Sequence, residues 1–453
     1  MPGPPSRPGC QDVGVPTTLS RRLRVGYAAG GVATGSFGTV PGLLLLPYLT
    51  DTLGVGALLA GAVVFLPKAL DVLLNPVTGR VSDRLAGRHG RRPFLLLGGL
   101  ALAVGFVLLF SGPHRPEAVA VAWVVVAFVL CAVAYSAFQV PFVALPAELT
   151  DDPHERTVLL TWRVAVLAVA ILASGASAPL VRDAVGGAAG YRAMAVAVGL
   201  LIALGALGAW AGTRGAPVSA VPAPPGGLGR HLRLALGVHD FRALLATFVL
   251  QALAIGCMLA AVDYLAREVL AQPGASSVLF ACFVGPALLV TPLWGRLADR
   301  AGKKRGYQLA SALLGLAALG AVVAGRVPAV VVFVLAAVAG IGYAGCQLFP
   351  MAMLPDTAAD DTRRTGENRV GVLTGVWTAG ETLGLALGPA VLALLLAAGG
   401  YVSTRGDAVA QPPGALTAIT LGFSLVPALL VAASLLTLRG HGRGPTPTPE
   451  EPR

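Results

Sequence analysis

Twelve times along its 453 residues the chain offers an apolar run of a length that suits a bilayer. An α-helix needs about 20 such residues to cross the ~30 Å hydrocarbon core. This feature restricts the fold more than any other, because in lipid every backbone N–H and C=O must be paired within the spanning structure. The runs predict spans over 25–49, 57–79, 93–111, 117–148, 158–181, 191–212, 241–268, 275–297, 307–325, 328–354, 370–398 and 414–438. Composition agrees: 12% of residues are charged and mean hydropathy is +0.76, whereas soluble domains are about a quarter charged. The expected class is an all-α integral membrane protein. Glycine-rich stretches in the first span ("GVATGSFG") and the eleventh ("GLALGPA") suit close helix packing.

The basic residues orient these spans. A net charge of +11 and a pI near 10.0 would suggest nucleic acid in a soluble chain, but here Arg and Lys crowd short loops between apolar runs, so no nucleic-acid partner is expected. Of the 33, 26 fall on the side of the N-terminus, 6 on the other side, and Lys68 inside a span. Positive loops stay inside, so both termini are expected in the cytoplasm and the chain in the plasma membrane. "MPGPPSRPGCQDVGVPTTLSRRLR" lacks the segment order of a signal peptide, and Arg21-Arg22 reads as a positive flank rather than a twin-arginine signal. Four of the five cysteines (Cys131, Cys257, Cys282, Cys346) fall in apolar runs and Cys10 in the tail, with no metal-ligand spacing. The histidines fall in predicted loops or tails, which excludes an intramembrane histidine relay.

The chain repeats itself. "GRVSDRLAGRHGRR" after span two is echoed by "GRLADRAGKKRG" after span eight, with Gly79 matching Gly295 and Asp83 matching Asp299 at an offset of 216. "FQVPFVALPAELTDD" in span four, with Gln139, is echoed by "CQLFPMAMLPDTAADD" in span ten, with Gln347. The Pro/Gly-rich centre divides the spans six and six. The expected organisation is a cytoplasmic tail (1–24), a six-helix bundle (25–212), a cytoplasmic linker (213–240), a second six-helix bundle (241–438) and a disordered tail (439–453).

Duplicated six-span halves resemble the major facilitator superfamily over essentially the whole chain. That resemblance implies a midplane site between two bundles that rock against each other, and gating roles for Gly79, Asp83 and Arg84 in one half and for Asp299 and Arg300 in the other. A narrower resemblance rests on "KALDVLLNPVTGRVSDRLAGRHGRRPFL", "FQVPFVALPAELTDDPHERTVLLTWR" and "RRTGENRVGVLTGVW". These are similar to the glycoside–pentoside–hexuronide:cation symporters, the melibiose permease family. The resemblance implies a cation site on the second helix, where Asp71 keeps the first family carboxylate. Several family positions differ: the second carboxylate is Asn75, an Asn ligand is Leu74, the fourth-helix acid is Gln139, the first-helix acid is Gly35, and the eleventh-helix lysine is Thr382 beside Glu381. A galactoside-type site is largely dismantled.

Ionisable residues at membrane depth are costly and usually face a cavity or a partner. Asp71 lies about 22 Å into span two, and Lys68 one turn away shares its face. The two either neutralise each other for packing, or Asp71 couples a cation while Lys68 tunes it or meets an anionic group of the cargo. Asn75 on the next turn, with Ser136 and Gln139 on span four, supplies neutral oxygens. These leave Na⁺ and H⁺ both open at Asp71; no other metal is expected. Glu381 lies about 16 Å into span eleven with no basic neighbour one turn away, so it either carries a proton or pairs with another helix, Lys68 included. Substrate candidates are Lys68, Gln139, Arg163 near the gate, Gln347 and Trp377, against snorkelling for Arg163 and core packing for Trp377. Asp263 is expected at the outer interface.

The expected function is secondary active transport of a small or amphipathic solute, glycoside-like or lipid-like, by alternating access with cation symport. The protein is expected to act as a monomer with no cofactor. The alternative is an H⁺-coupled exporter, although span five lacks the exporter pattern Gly-x-x-x-Gly-Pro-x-x-Gly-Gly. A membrane enzyme would need a nucleophile–base pair or metal cluster, and a sensor would need an output domain; the sequence offers neither.

Overall fold

The computed structural model describes residues 19–89, 92–150, 152–214, 228–272, 274–365, 369–406 and 409–442. Among these, twelve helical segments are long and apolar enough to cross a membrane, and no strand occurs. The first half comprises α1 (Arg21–Pro47), α2 (Ala57–His89), α3 (Arg92–Leu109), α4 (Glu117–Leu149), α5 (Pro153–Val185) and α6 (Gly187–Thr213). A short helix, α7 (Leu228–Gly237), precedes the second half. That half comprises α8 (His239–Tyr264), α9 (Ala275–Ala301), α10 (Lys303–Gly320), α11 (Ala329–Thr365), α12 (Val370–Ala398) and a last span broken into α13 (Pro413–Phe423) and α14 (Leu425–Gly440). α1 and α8 each end in a π-helical turn, at Tyr48–Thr52 and Leu265–Val269.

Local chemistry sets the ends. Asp152 caps α5 by accepting from the His154 N–H at 2.8 Å, and Pro153 occupies the first turn, where a missing N–H costs nothing. Gly186, at φ 77°, ends the helix by donating to the Arg182 carbonyl. Several helices outrun their predicted spans: α11 continues to Thr365, as a helix does when its polar last turns leave the apolar layer.

The linker region differs from a plain connector. α7 lies inside it and packs on α8 and α12, with Ala235 buried and Arg233 exposed. At the C-terminus, α14 runs to Gly440, and the Gly442 N–H donates to Asp240 at 2.9 Å. These contacts tie 439–442 down, whereas 443–453 lie outside the described residues.

Within each half, backbones approach where glycines meet. A Cβ on Gly26 of α1 would lie 2.3 Å from the Gly212 Cα of α6, and one on Gly388 of α12 would lie 2.3 Å from the Gly256 carbonyl carbon of α8. No other residue type permits these contacts. Between the halves, α2 packs on α12, α5 on α9 and α1 on α8.

Candidate functional site

A cavity of about 260 Å³ lies between the halves. Its walls come from α1, α2, α4 and α5 on one side and from α8, α9, α11 and α12 on the other. Most of the lining is apolar, including Phe128, Phe280 and Phe283. The polar exceptions are few: Thr34 and Thr39 on α1, Lys68 on α2, Tyr343 and Gln347 on α11, and Glu381 on α12. Tyr343 stacks on Phe283 with ring centroids 5.2 Å apart and is approached by the Gln347 amide at 3.4 Å. Lys68 and Glu381 therefore bring opposite charges to one chamber from opposite halves, and no ion pair joins either to any described residue.

Behind this lining, α2 faces α4 with a polar cluster. The fully buried Ser136 hydroxyl lies 2.8 Å from Asn75 Oδ1 and 2.9 Å from Thr78 Oγ1. Asp71, one turn from Asn75, is 6% exposed and has Oδ1 buried without a hydrogen-bond partner. The Gln139 Oε1, one turn beyond Ser136, is likewise buried and unpartnered. Buried acceptors are almost always satisfied, so two orphan oxygens on facing helices mark a place with unused capacity for a cation or proton.

The family model described as "MFS/sugar transport protein" matches residues 26–439. The chain belongs to this family. Among its relatives, the inner membrane symporter YicJ of Escherichia coli (strain K12) is 26% identical over 433 residues, covering 93% of this chain and 92% of that protein. The isoprimeverose transporter of Lactiplantibacillus pentosus is 24% identical, covering 92% and 87%. A crystal structure of a D-xylose–proton symporter shares the fold, with a TM-score of 0.68 at 13% identity, covering 93% of this chain and 97% of the other. The protein is a multi-pass membrane transporter of small solutes and not an enzyme.

The transporter distributes the other residues singled out by sequence as follows. Trp377 is 1% exposed and stacks on Phe248 at 4.4 Å between centroids, within the second half; it is not in the cavity lining. Arg163 lies over the Phe142 ring at 5.1 Å and also stays outside the lining. Asp299 and Arg300 are exposed in the last turn of α9. Gly79, Asp83 and Arg84 fall in the final turns of α2, with side chains outside the described residues.

Sequence reasoning missed a charge network at the face opposite the termini. Asp263, expected at the interface, is fully buried. Its carboxylate takes Arg182 Nη1 at 2.8 Å, Arg267 Nε at 3.0 Å and the Ser276 hydroxyl at 2.7 Å. Asp51 takes a second Arg267 nitrogen and, at 2.8 Å, the Tyr401 hydroxyl. Burial first, then the Asp51 carboxylate, pushes the Tyr401 phenol above its usual range, so it remains a donor. The loop after α12 straps across this end: the Thr404 N–H donates to the Thr50 carbonyl at 2.9 Å and the Gly406 N–H to the Asp51 carbonyl at 2.8 Å. By contrast, the described ion pairs nearer the termini stay within one half, as in Arg24–Glu155 and Lys303–Asp356. The described polar bridges between halves are thus concentrated at the opposite face.

Proposed function

We propose that this transporter carries an amphipathic solute, a glycoside with an apolar body or a lipid-like molecule, in symport with a cation. The single observation behind this reading is the pairing of a mostly apolar cavity with a polar cluster immediately behind it. Aromatic and aliphatic walls suit an apolar body, while Gln347, Tyr343, Lys68 and Glu381 offer hydrogen bonds and charge to a polar head. Asp71, Asn75, Ser136 and Gln139 offer the coupling ion one carboxylate among neutral oxygens. Na⁺ and H⁺ both fit that donor set, and Glu381 is a second proton carrier to be tested beside it. The names of YicJ and of the isoprimeverose transporter, a symporter and a sugar carrier, support the direction of this reading.

The Arg and Lys bias supports a plasma-membrane protein with both termini in the cytoplasm. We assign the six-helix halves to 25–212 and 241–438 with the linker at 213–240, and we treat the functional unit as a monomer with one cavity. We assign gating at the terminal face to Gly79, Asp83 and Arg84 in one half and to Asp299 and Arg300 in the other, on their places in the repeated basic loops.

Proteoliposomes with an imposed Na⁺ or H⁺ gradient test this. Labelled alkyl glycosides and lysolipids are offered to the parent, Asp71→Asn and Glu381→Gln. Gradient-driven accumulation that disappears in Asp71→Asn supports coupling at α2. Accumulation lost only in Glu381→Gln moves coupling to α12. Equilibration that no gradient drives refutes symport.

A further inference from the structure

The network at the face opposite the termini has a construction that alternating access alone does not require. Asp51 and Arg267 are 216 residues apart, the offset that relates Gly79 to Gly295 and Asp83 to Asp299. They occupy equivalent positions of the internal repeat, and each sits in a π-helical turn, at the ends of α1 and α8 respectively. Isolated π-helical turns are rare and cluster at functional sites. In a transporter whose halves are related by a pseudo-two-fold axis, equivalent positions near that axis approach each other. Like charges there would hold the halves apart, and opposite charges close them.

We propose that Asp51 and Arg267, with Arg182 and Asp263, form a latch that shuts the transporter at this face, built on one repeat-equivalent pair that carries opposite charges. The assignment rests on the alternating-access reading of the fold and not on the identity of the cargo.

The arrangement of partners makes the latch reversible. Among the described residues, besides the exposed Arg405–Glu117 pair at 3.7 Å, two ion pairs cross between halves: Asp51 with Arg267, and Arg182 with Asp263. Each guanidinium also has a partner in its own half. Arg267 bonds Asp263 one turn away on its own chain segment, and Arg182 bonds the adjacent Asp183 at 2.8 Å. When the halves part, the fully buried Asp263 keeps Arg267, and Arg182 keeps Asp183. Opening therefore strands neither guanidinium, nor the carboxylate that is most deeply buried, and a stranded buried charge is the outcome that makes broken ion pairs so costly. Asp51 keeps the Thr50 hydroxyl at 2.7 Å. Tyr401 and the Thr404–Gly406 strap join the closed state, and Arg405 within the strap lies 3.7 Å from Glu117 of the first half.

The experiment reads access to the cavity and needs no cargo. Gly38 lines the cavity, and a Cβ there meets nothing within 4 Å, so Gly38→Cys introduces a reporter thiol. A membrane-impermeant maleimide is applied from each face to oriented vesicles, and the labelling of the same variant without Gly38→Cys is subtracted. In the parent the thiol reacts from the terminal face and is protected from the opposite one. Asp51→Asn and Arg267→Gln each raise labelling from the opposite face at least about fivefold, the lower end of a typical coupling between states. Lys303→Gln, whose partner Asp356 lies within the same half, leaves labelling unchanged. Should Asp51→Asn not yield folded protein, Tyr401→Phe removes only the hydroxyl that donates to Asp51 and still raises labelling. Labelling unchanged in Arg267→Gln and Tyr401→Phe overturns the proposal. An equal rise in Lys303→Gln overturns it as well.

Discussion

Replacing Lys68 by Met and Asp71 by Asn, singly and together, separates the structural cost of these charges from their use in transport. One turn apart on α2, their Cβ atoms lie about 5–6 Å from each other. Across ~6 Å, with an effective dielectric constant near 20, two unit charges attract by about 3 kcal/mol. A lone charge near the bilayer centre costs about 2.5–3.5 kcal/mol on insertion scales. Asp71 is buried, with one oxygen unpartnered, so it has little other relief once the ammonium is gone. Each single substitution is therefore expected to cost about 2–3 kcal/mol of unfolding free energy, and the double substitution about 1 kcal/mol or less. Reversible unfolding of the purified protein in mixed micelles reads these values. Costs that simply add in the double variant would refute the premise that the two charges feel each other. Gradient-driven uptake gives the second reading. The double variant, with its stability restored, is expected to remain uncoupled, because the α2 carboxylate is absent. Parent-level accumulation in the double variant would remove Asp71 from the coupling site.

Three other outcomes follow from the packing. Gln251 is fully buried and bonds Ser311 at 2.8 Å, Ser434 at 3.0 Å and the Tyr307 hydroxyl at 2.9 Å. Gln251→Leu is expected to cost about 2–4 kcal/mol, and adding Tyr307→Phe to recover about 1–2 kcal/mol of it by removing the stranded donor; the same unfolding measurement checks both. On α12, Gly388→Leu drives a side chain into the α8 backbone and is expected to abolish folded protein in size-exclusion profiles, whereas Gly375→Ala, with nothing within 4 Å, leaves the profile unchanged. Trp377→Phe keeps an aromatic ring against Phe248 and is expected to leave the uptake KM unaltered, while Gln347→Leu removes a cavity amide and raises KM about tenfold, the equivalent of one hydrogen bond of about 1.4 kcal/mol.

Much of the candidate site is legible in the linear chain. Lys68, Gln347 and Glu381 stand out because charged or polar side chains are rare at membrane depth, and all three line the cavity. Asn75 and Ser136, neutral oxygens expected near Asp71, meet at 2.8 Å. Trp377 is ambiguous in sequence for a physical reason: the same indole suits a ligand stack or a core stack, and only its neighbour Phe248 decides. Asp263 misleads because its depth along α8 says nothing about which way it points. Asp51 and Arg267 escape a reading based on motifs, although a signal is present. Their spacing of 216 equals the repeat offset, so comparing charges at equivalent positions singles them out.

The twelve spans, the six-and-six division and the asymmetry of positive charge follow from the amino-acid order alone. These are linear quantities: hydropathy summed over one helix length, a repeat offset and a count of Arg and Lys per loop, each set by local transfer energies that do not depend on the neighbours. Three-dimensional packing is needed to settle which charges share a chamber, which ring stacks on which, and that Asp51 closes on Arg267 while Lys68 and Glu381 stay apart. Such facts depend on the rotation of each helix about its own axis and on the approach of segments hundreds of residues apart. In a helix apolar on nearly every side, the hydrophobic pattern that would announce that rotation is too weak to read.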